Sequence, residues 1–519
     1  MKQRITDVIS KEDAESWTPG SNILISAPMG AGKSYFCKNT LYELAKEVDG
    51  KILMLIHRSN CVKQFKYEIE EDGKSDVIDV ITYQSLEHHK LNDTPKQIDL
   101  SKYKYIVSDE FHYFFNDSSF NNKTAVSFKM IMSNNEAIHV FMSATGDAMA
   151  RYMKRYIREH ELQSAVEYEI PFDFSFMESL TFFNKDETLE ELMKKILKTG
   201  YKAIFFIQKA EKAYKLYSKY RDKSIYNCSS DNKRYYKYVD EEKITNILKN
   251  QKFSEQVLVT TACFDAGINI IDRDVKYIVI DITDIGSLIQ CIGRKRIQDE
   301  EDRIHVYIKN INNQRLAGLK TSMKGKIEMA DFYLENNCSL EKLIQKYPMQ
   351  NDLNNILYDD LTYDKNGNII QNSYTKRVNE LMYFKKKEDI GEYSIMIENY
   401  DKFGYCKYLA NFFGFWDEET GGYTYTMENE NYGVEEYLQK MVTNNVVLLQ
   451  VKDRKELISK INAKQNGKLL KKAATLNQVL EERELDYRIK EFATTRYITD
   501  SDGNKKKKVY KSAWKIIKF

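Results

Sequence analysis

The sequence predicts an α/β protein in which two parallel sheets follow one another, succeeded by a mostly helical region and a small basic α+β segment. Strand-like and helix-like stretches alternate over residues 23–170 and again over 201–309, as parallel α/β sheets require. A chain of 519 residues has room for roughly three domains or slightly more. The predicted boundaries are 1–172 and 173–314 for the two sheet domains, 315–450 for a helical accessory region and 451–519 for the basic segment.

The first sheet is predicted from short apolar runs that are separated by polar or helix-patterned stretches. The run ILI at 23–25 contains bulky and β-branched residues and is typical of a buried parallel strand. Further candidate strands are 51–57, 76–83, 103–110 and 137–145. The region 170–174, which contains Pro171, is expected to lead into the second domain.

The second sheet is predicted from four more apolar runs, after which the pattern changes. These candidate strands are 201–208, 254–262, 275–283 and 303–309. Residues 329–347 read as helical, and the N-G dipeptide within 362–370 predicts a hairpin. The basic segment predicts a helix over 468–483 and strands over 486–499 and 507–517, with a turn at Asp502 and Gly503.

Composition limits the classes of function. The seven cysteines are scattered, without any C-x-x-C, which favours a reducing cytosol over a disulfide framework or a structural zinc site. No apolar run approaches the roughly 20 residues of a membrane helix, and the first residues are too polar for a signal peptide, so we expect a cytoplasmic protein without a membrane partner.

Residues 452–519 hold 19 Lys and Arg against 9 Asp and Glu, a net charge of +10 in a chain whose total is +2. Such a basic tail is typical of a nucleic-acid contact, although a solvated lysine-rich face is an equally good reading of charge alone.

A phosphate-binding loop follows the first strand. The run A-P-M-G-A-G-K-S at 27–34 is close to the pattern G-x4-G-K-[ST], with Ala27 in the place of the first glycine. Gly30 and Gly32 permit positive φ, so that backbone N–H groups can point at phosphate oxygens. Lys33 supplies charge for the β- and γ-phosphates, and the Ser34 hydroxyl can ligate Mg²⁺. The predicted nucleotide contacts are Ala27, Gly30, Ala31, Gly32, Lys33 and Ser34, and the predicted cofactors are ATP and Mg²⁺.

Two adjacent carboxylates end a later strand of the same block. In IVSDEFH at 106–112, Asp109 is placed to hold Mg²⁺ and Glu110 to act as a general base. Adjacent side chains of a continuing strand would point to opposite faces, so the strand is expected to end here.

The order of these motifs resembles a known family. APMGAGKS, DEFH, SAT at 143–145, TACFDAGINI at 261–270 and QCIGRKR at 290–296 occur in the order of the superfamily 2 helicase motifs. The chain resembles a DExH-type member of that superfamily, in which two tandem RecA-like domains cover roughly residues 1–315.

The resemblance implies a role for each matching position. It assigns catalysis to Lys33, Asp109, Glu110, Gln290 and Arg294, with Arg294 acting as an arginine finger. It assigns the Mg²⁺ site to Ser34 and Asp109, and adds Gly267 to the nucleotide contacts. It assigns the coupling of hydrolysis to lobe movement to His112, Ser143 and Thr145. It assigns contacts with the nucleic-acid backbone to His57, Arg58, Thr82, Tyr83, Gln84, Lys209 and Thr261. The basic tail adds Lys505, Lys506, Lys507 and Lys508 as a phosphate-binding cluster.

One position departs from the family pattern. The motif Q-x-x-G-R-x-x-R has its second arginine where this sequence has Ile297, and the nearest arginine is Arg296. If a helix continued through this segment, a shift of one residue would turn that side chain by about 100° and away from the nucleotide.

The expected function is an ATP-dependent helicase or translocase that moves along nucleic acid, with DNA slightly favoured over RNA. Two alternatives stay open at this point. The first is an ATPase that is stimulated by nucleic acid and remodels complexes without separating strands. The second is a protein whose nucleotide state controls partner binding.

Overall fold

The structure, a computed structural model, confirms the predicted fold class. It describes residues 3–91, 98–119, 123–262, 269–348, 352, 354, 356–363, 369–400, 402–428, 434–465, 468–483, 485–499 and 505–519. Within these ranges, two RecA-like parallel-sheet domains, here called lobe one and lobe two, precede a helical region and a small C-terminal sheet. The domain boundaries stay predictions.

Lobe one contains six parallel strands. They are β1 (Asn22–Ser26), β2 (Lys51–Ile56), β3 (Ile78–Thr82), β4 (Tyr103–Asp109), β5 (Ile138–Ser143) and β6 (Ala165–Glu169). Their order across the sheet is β3-β2-β4-β5-β1-β6. The inner strands are apolar on both faces because helices cover the sheet on each side, which is the usual environment of a parallel sheet.

The helices of lobe one connect these strands. They are α1 (Ile5–Val8), α2 (Lys11–Glu15), α3 (Lys33–Phe36), α4 (Tyr42–Glu47), α5 (Ser59–Glu71), α6 (Tyr83–Leu91), α7 (Tyr113–Asn116), α8 (Thr124–Met132) and α9 (Asp147–Glu159). A π-helical turn, Cys37–Leu41, joins α3 to α4. The first strand thus delivers the phosphate-binding loop directly to a helix start.

Lobe two repeats the arrangement. Its strands are β7 (Met177–Phe183), β8 (Lys202–Ile207), β9 (Ser224–Asn227), β10 (Val257–Thr260), β11 (Val275–Asp281) and β12 (Ile304–Lys309). They are parallel and follow the order β7-β12-β11-β8-β10-β9. Its helices are α10 (Thr188–Thr199), α11 (Ala210–Lys219), α12 (Lys233–Tyr236), α13 (Glu241–Asn250) and α14 (Ile285–Gly293).

The accessory region is helical but also contains short strands. Its helices are α15 (Asn313–Glu335), α16 (Leu340–Lys346), α17 (Glu380–Glu398) and α18 (Gly404–Phe412). Its strands are β13 (Leu357–Tyr363), β14 (Ile369–Val378), β15 (Trp416–Asp417), β16 (Gly422–Tyr423) and β17 (Thr426–Met427). Strands β13 and β14 form the predicted hairpin, whose turn lies outside the described residues. The stretch 329–347 is two helices rather than one, because Asn337 and Cys338 take positive φ between them. Strand β17 pairs with β7 and thereby extends the sheet of lobe two.

The basic segment folds around its own small core. Its elements are α19 (Val434–Thr443), β18 (Val447–Leu448), α20 (Lys455–Ile461), β19 (Lys464–Gln465), β20 (Lys468–Leu469), α21 (Ala473–Glu482), β21 (Tyr487–Thr499) and β22 (Lys505–Lys518). Strands β21 and β22 form the predicted antiparallel hairpin, and the turn predicted at Asp502 and Gly503 lies outside the described residues. The predicted helix over 468–483 begins five residues later, because residues 468–469 are a strand.

Helix α17 contacts both lobes. At its start, the Tyr152 hydroxyl of α9 donates to Glu380 at 2.9 Å, and Leu381 lies in a core cluster of lobe one. At its end, Met396 lies in the core cluster of lobe two, together with Tyr405 and Leu409 of α18. The accessory region therefore joins the two lobes beside the gap between them.

No helix among the described residues is long and apolar enough to cross a membrane.

A buried ion pair fixes the segment that follows α14. The side chains of Lys295 and Asp302 are fully buried and in contact. The same Asp302 carboxylate accepts the backbone N–H of Gln298 at 3.1 Å, and the ammonium of Lys276 lies 3.5 Å from it. Burial lowers the pKa of Lys295, an effect that the charge of Asp302 opposes. Because both charges have left water, either partner alone would be strongly unfavourable there.

Replacing Asp302 by Asn should destabilise lobe two, because the charge of Lys295 would stay buried without its counter-ion. We expect the free energy of unfolding to fall by about 3–5 kcal/mol, measured by calorimetry or urea unfolding. Asp299→Asn is the matched control, since Asp299 pairs with Arg273 at an exposed position and should cost about 1 kcal/mol or less. Equal losses in the two variants would contradict the importance of the buried pair.

Candidate functional site

The phosphate-binding loop has the geometry that its sequence predicts. It connects β1 to α3, with φ of 82° at Gly30 and 90° at Gly32, a region that favours glycine. A Cβ at Gly32 would meet no atom within 4 Å, so backbone conformation rather than space requires glycine there. The Lys33 ammonium donates to the carbonyl of Ala27 at 3.0 Å and thereby spans the loop.

The alanine in place of the first glycine fits its position. Ala27 is fully buried, does not take positive φ, and donates its N–H to the carbonyl of Ser143 at 2.9 Å. Ala31 is also fully buried. Neither position requires glycine, so the departure at Ala27 leaves the loop intact.

The strand β4 ends at the two carboxylates, as predicted. Asp109 is its last residue, and Glu110 takes a φ of 52°, which turns the chain out of the strand. A non-glycine residue at positive φ costs of the order of 1 kcal/mol or more, and such strain is concentrated at functional sites. The turn lets both carboxylates face the same cleft.

Asp109 and Ser34 are suited to Mg²⁺. One carboxylate oxygen of Asp109, Oδ1, is buried without a hydrogen-bond partner, and Ser34 is exposed on the wall of the same cleft. Carboxylate and hydroxyl oxygens are ligands that Mg²⁺ prefers. The residues present therefore fit the predicted metal.

The pKa values of the two carboxylates, Asp109 and Glu110, are shifted in opposite directions. Burial and the neighbouring Glu110 raise the pKa of Asp109. Burial would also raise the pKa of Glu110, but the Lys33 ammonium, 3.8 Å away, and the hydrogen bond from His112 outweigh it and lower that pKa. Glu110 is thus the carboxylate that stays ionised, as a general base requires.

His112 contacts groups from both lobes. Its Nδ1 lies 2.7 Å from the Ser143 hydroxyl, 3.3 Å from Glu110 and 3.4 Å from the Thr145 hydroxyl. Its Nε2 lies 3.0 Å from the side-chain amide nitrogen of Gln290 on α14. The Ser143 hydroxyl in turn lies 3.2 Å from Glu110. The three predicted coupling residues are therefore in one network with the predicted base.

Lobe two contributes Gln290 and both arginines to the cleft. Arg294 is 7% exposed, lines the cleft, and its Nε has no hydrogen-bond partner. Its charge acts to lower the pKa of Glu110, which places it within electrostatic reach of that carboxylate. An unpartnered guanidinium nitrogen beside the phosphate-binding loop is suited to a phosphate oxygen.

The helix that would turn Arg296 away from the site does not continue as far as this residue. Helix α14 ends at Gly293, so the rotation of 100° per residue does not apply beyond it. Instead, the backbone of Lys295 forms an isolated parallel β-bridge with Ile270. Arg296 lines the same cleft as Arg294, and its Nε donates to the side-chain oxygen of Asn269 at 2.7 Å. Burial, followed by the nearby Arg294, lowers the pKa of Arg296 to about 10.

The phosphate-binding loop also touches lobe two through Met29. A Cβ added at Gly293 would lie 2.1 Å from Cε and 3.1 Å from Cβ of Met29. Met29 is 8% exposed and belongs to the core cluster of lobe two. The two lobes are therefore in direct contact at the nucleotide site.

The predicted nucleic-acid contacts of lobe one divide into two groups. His57 and Arg58 line the cleft, and His57 lies 3.0 Å from Asp117. Gln84 is exposed, whereas Thr82 accepts the N–H of Ser85 at 3.0 Å.

The prediction for Tyr83 is wrong, because its side chain is fully buried. Its hydroxyl donates to the carbonyl of Asp109 at 2.9 Å, and its ring stacks on Tyr113 at 4.4 Å. Tyr83 thus supports the end of β4 instead of a ligand.

The remaining predicted contacts lie on lobe two and on the tail. Thr261 lines the cleft at 8% exposure, and Lys209 is exposed at the start of α11. Gly267 lies outside the described residues. Lys505, Lys506, Lys507 and Lys508 are exposed on β22 and take no part in the lining of the cleft.

The accessory region supplies residues that sequence reasoning missed. The cleft has a volume of about 900 Å³, and α17 lines it with Lys385, Lys386, Asp389 and Tyr393. Burial lowers the pKa of Lys386. The run KKK at 385–387 was the available signal, but a lysine run on a helix is usually a solvated face.

Comparison with protein families identifies lobe one. Residues 2–147 match the family model described as "Type III restriction enzyme, res subunit". The match includes the phosphate-binding loop, Asp109–His112 and Ser143–Thr145, three of the motifs by which the sequence resembles superfamily 2. The match therefore covers most of lobe one. No curated protein matches this chain.

Several solved structures are similar to this chain at low identity. Dbp5 of S. cerevisiae, bound to RNA and ADP BeF3, is 18% identical over 59% of this chain and 83% of its own, with a TM-score of 0.43. The DEAD-box helicase Mss116, bound to ssRNA and UDP-BeF, is 12% identical over 64% of this chain and 80% of its own, with a TM-score of 0.45. A DEAD box protein from Methanococcus jannaschii is 18% identical over 59% and 86%, with a TM-score of 0.34.

The contact between Gly293 and Met29 gives a reversible test of lobe contact. Gly293→Ala places a methyl group against Met29, so we expect weaker nucleotide binding or slower ATP hydrolysis, by about 5- to 30-fold if the strain is about 1–2 kcal/mol. Met29→Ala removes the obstruction, and the double variant should regain most of the lost activity. A double variant that is as slow as Gly293→Ala would contradict this account.

Proposed function

We propose that this protein is an ATP-dependent helicase or translocase, which hydrolyses ATP between the two lobes and moves along nucleic acid. The observation that carries the proposal is the position of His112, which contacts Glu110 of lobe one and Gln290 of lobe two at once. A base whose histidine partner is oriented by a residue of the opposite lobe is held in place only while the lobes are closed. Hydrolysis and lobe movement are then linked by geometry.

Each residue of the site has a part in this proposal. Lys33 binds the β- and γ-phosphates, and Glu110 accepts a proton from the attacking water. Arg294 stabilises the charge that develops on the γ-phosphate, an effect worth about 10³–10⁵ in rate in related phosphoryl transfers. Arg296, on the same wall of the cleft, takes the place of the second arginine of the family motif. Mg²⁺, held by Ser34 and Asp109, would neutralise charge on the phosphates.

Contacts to the nucleic acid would come from both lobes. His57 and Arg58 on lobe one and Thr261 on lobe two line one continuous cleft with the nucleotide site. When the lobes close and open, the two groups of contacts move relative to one another, which advances the protein along a strand. Lys385 and Lys386 of α17 add positive charge to the same wall.

The decisive experiment compares ATP hydrolysis with single-stranded DNA, single-stranded RNA or neither. We expect stimulation by at least one of them, and expect Gln290→Ala to remove most of that stimulation because it cuts the link to His112. Gln345→Ala on the exposed face of α16 is the matched control and should behave as the wild type. A rate that ignores both nucleic acids would favour a nucleotide-switched binding protein instead. DNA is the first nucleic acid to test, because the sequence analysis slightly favours it over RNA.

A strand-displacement assay distinguishes a helicase from the remaining alternative, an ATPase that remodels complexes without unwinding. An ATPase that remodels complexes would be stimulated by nucleic acid and yet release no strand from a partial duplex. The presence of an ionised base at Glu110 favours a protein that turns over ATP in either case.

Two substitutions separate nucleotide binding from turnover. Lys33→Ala should weaken ATP binding because it removes the charge that faces the phosphates. Glu110→Gln should retain ATP and reduce turnover by about 10²–10⁴, the usual contribution of a positioned general base. Binding is measured with a fluorescent ATP analogue and turnover by phosphate release. Turnover of Glu110→Gln at the wild-type rate would show that another group is the base.

A further inference from the structure

The C-terminal hairpin carries a row of basic residues along one face. Strands β21 and β22 pair with a register that sets Lys490 opposite Lys515 and Arg496 opposite Lys508. Directly opposed residues of an antiparallel pair point to the same face, and alternate residues along a strand share that face. The full row on this face, here called the outer face, is Arg488, Lys490, Arg496, Lys506, Lys508 and Lys515.

The opposite face of the hairpin packs on the core of the basic segment. Tyr487, Ile489, Trp514 and Ile516 are at most 3% exposed and lie in one core cluster with residues of α19, α20 and α21. The hairpin is therefore held on one side, and its outer face is directed away from that core. The register also divides the four lysines of the predicted cluster, since Lys506 and Lys508 belong to the outer face and Lys505 and Lys507 to the other.

The hairpin continues beyond its core as a two-stranded ribbon. From the pair Thr495 and Val509 onwards, the residues whose exposure the structure describes are exposed on both strands. The outer face extends from Arg488 to Arg496 along β21, about 26 Å at roughly 3.3 Å per residue. It is thus a row held by strand pairing, with an irregularity of the register between Phe492 and Thr494, rather than an unpaired basic tail.

The outer face carries positive charges without negative charges of its own. The residues of this face contain no carboxylate in the described part of either strand. Arg488, Lys490, Arg496 and Lys508 form no ion pair with a described carboxylate. Like charges directly opposite one another destabilise a sheet, so the pairs of Lys490 with Lys515 and Arg496 with Lys508 oppose the folding of the hairpin unless an anion neutralises them.

We propose that the outer face binds duplex nucleic acid through its phosphates. A paired row of this length, about 26 Å, is long enough to span several phosphates along a duplex. Binding of single strands without sequence preference normally uses exposed aromatic rings on which bases stack. The outer face offers no such ring, since Tyr510 is only 8% exposed and Phe492 is half-buried, while the exposed Tyr497 lies on the opposite face. The proposal rests on the proposed function, because it places the duplex that the motor acts upon at a second site outside the cleft.

The test uses two pairs of lysines from the same strand. Lys506→Gln with Lys508→Gln removes two charges from the outer face, and Lys505→Gln with Lys507→Gln removes two from the other face. Binding of the full chain to a labelled 20-base-pair DNA duplex is measured by fluorescence anisotropy from about 50 to 300 mM salt, a range in which counter-ion release dominates. The first pair should reduce the slope of log affinity against log salt by about 2, because each phosphate contact contributes about 0.9. The second pair should leave the slope close to that of the wild type.

A third variant tests the length of the row. Arg488→Gln with Lys490→Gln lies at the far end of the outer face and should also reduce the slope by about 2. If only the cluster at residues 505–508 contacted the duplex, the slope of this variant would equal that of the wild type. Thermal unfolding of each variant checks that the hairpin is intact.

The outcomes separate this proposal from that of the motor. If both lysine pairs lower the slope equally, or neither does, or the single-strand slope falls as much as the duplex slope, the outer face is not a duplex site. ATP hydrolysis that ignores single-stranded DNA and RNA would overturn the proposed motor but not the duplex site. Repeating the titration with an RNA duplex shows which duplex the face prefers.

Discussion

The active arrangement depends on the hydrogen bonds of one imidazole ring. The side-chain amide nitrogen of Gln290 can only donate, so Nε2 of His112 is an acceptor and its proton is on Nδ1. That proton faces the Ser143 hydroxyl, which accepts it and in turn donates to Glu110. A residue of lobe two therefore fixes the tautomer of a lobe-one histidine and, through it, the orientation of the predicted base. Moving α14 away would remove the partner of Nε2, whereas the partners of Nδ1 belong to lobe one and would stay in place.

Helix α17 restricts how that separation can occur. Its end toward lobe two is buried, with Met396 fully enclosed and Gly404 so close to the carbonyl of Met396 that a Cβ would lie 1.9 Å away. Its end toward lobe one is also buried, since Leu381 lies in a core cluster of that lobe and Phe384 packs against the same cluster. Exposed ion pairs such as Arg151 with Glu388 contribute about 0–1 kcal/mol, whereas buried apolar packing contributes more. Separation of the lobes therefore requires α17 to lose buried packing at one of its two ends.

Local sequence predicts the parts of this site that local chemistry determines. The loop with Gly30 and Gly32 and the end of β4 at Asp109 follow from residue types and spacing. Strand β6 was not predicted because it lies at a sheet edge and most of its residues are exposed. Strand β9 was not predicted because it has only four residues. The burial of Tyr83 and the placement of α17 in the cleft depend on contacts between residues far apart in the chain, which no local pattern carries.

The pair of arginines shows why backbone conformation decides such questions. On a continuous helix, residues three apart share a face, which is the spacing of the family motif. In this chain the helix ends at Gly293. The two arginines then pair through their backbones with Ile270: its N–H donates to the carbonyl of Arg294, and its carbonyl accepts the N–H of Arg296, each at 2.8 Å. Lys295, between them, turns inward to its buried partner Asp302. With the middle residue committed to the interior, its two neighbours are both directed to the cleft. A spacing of two with an anchored lysine thus achieves what a spacing of three achieves on a helix.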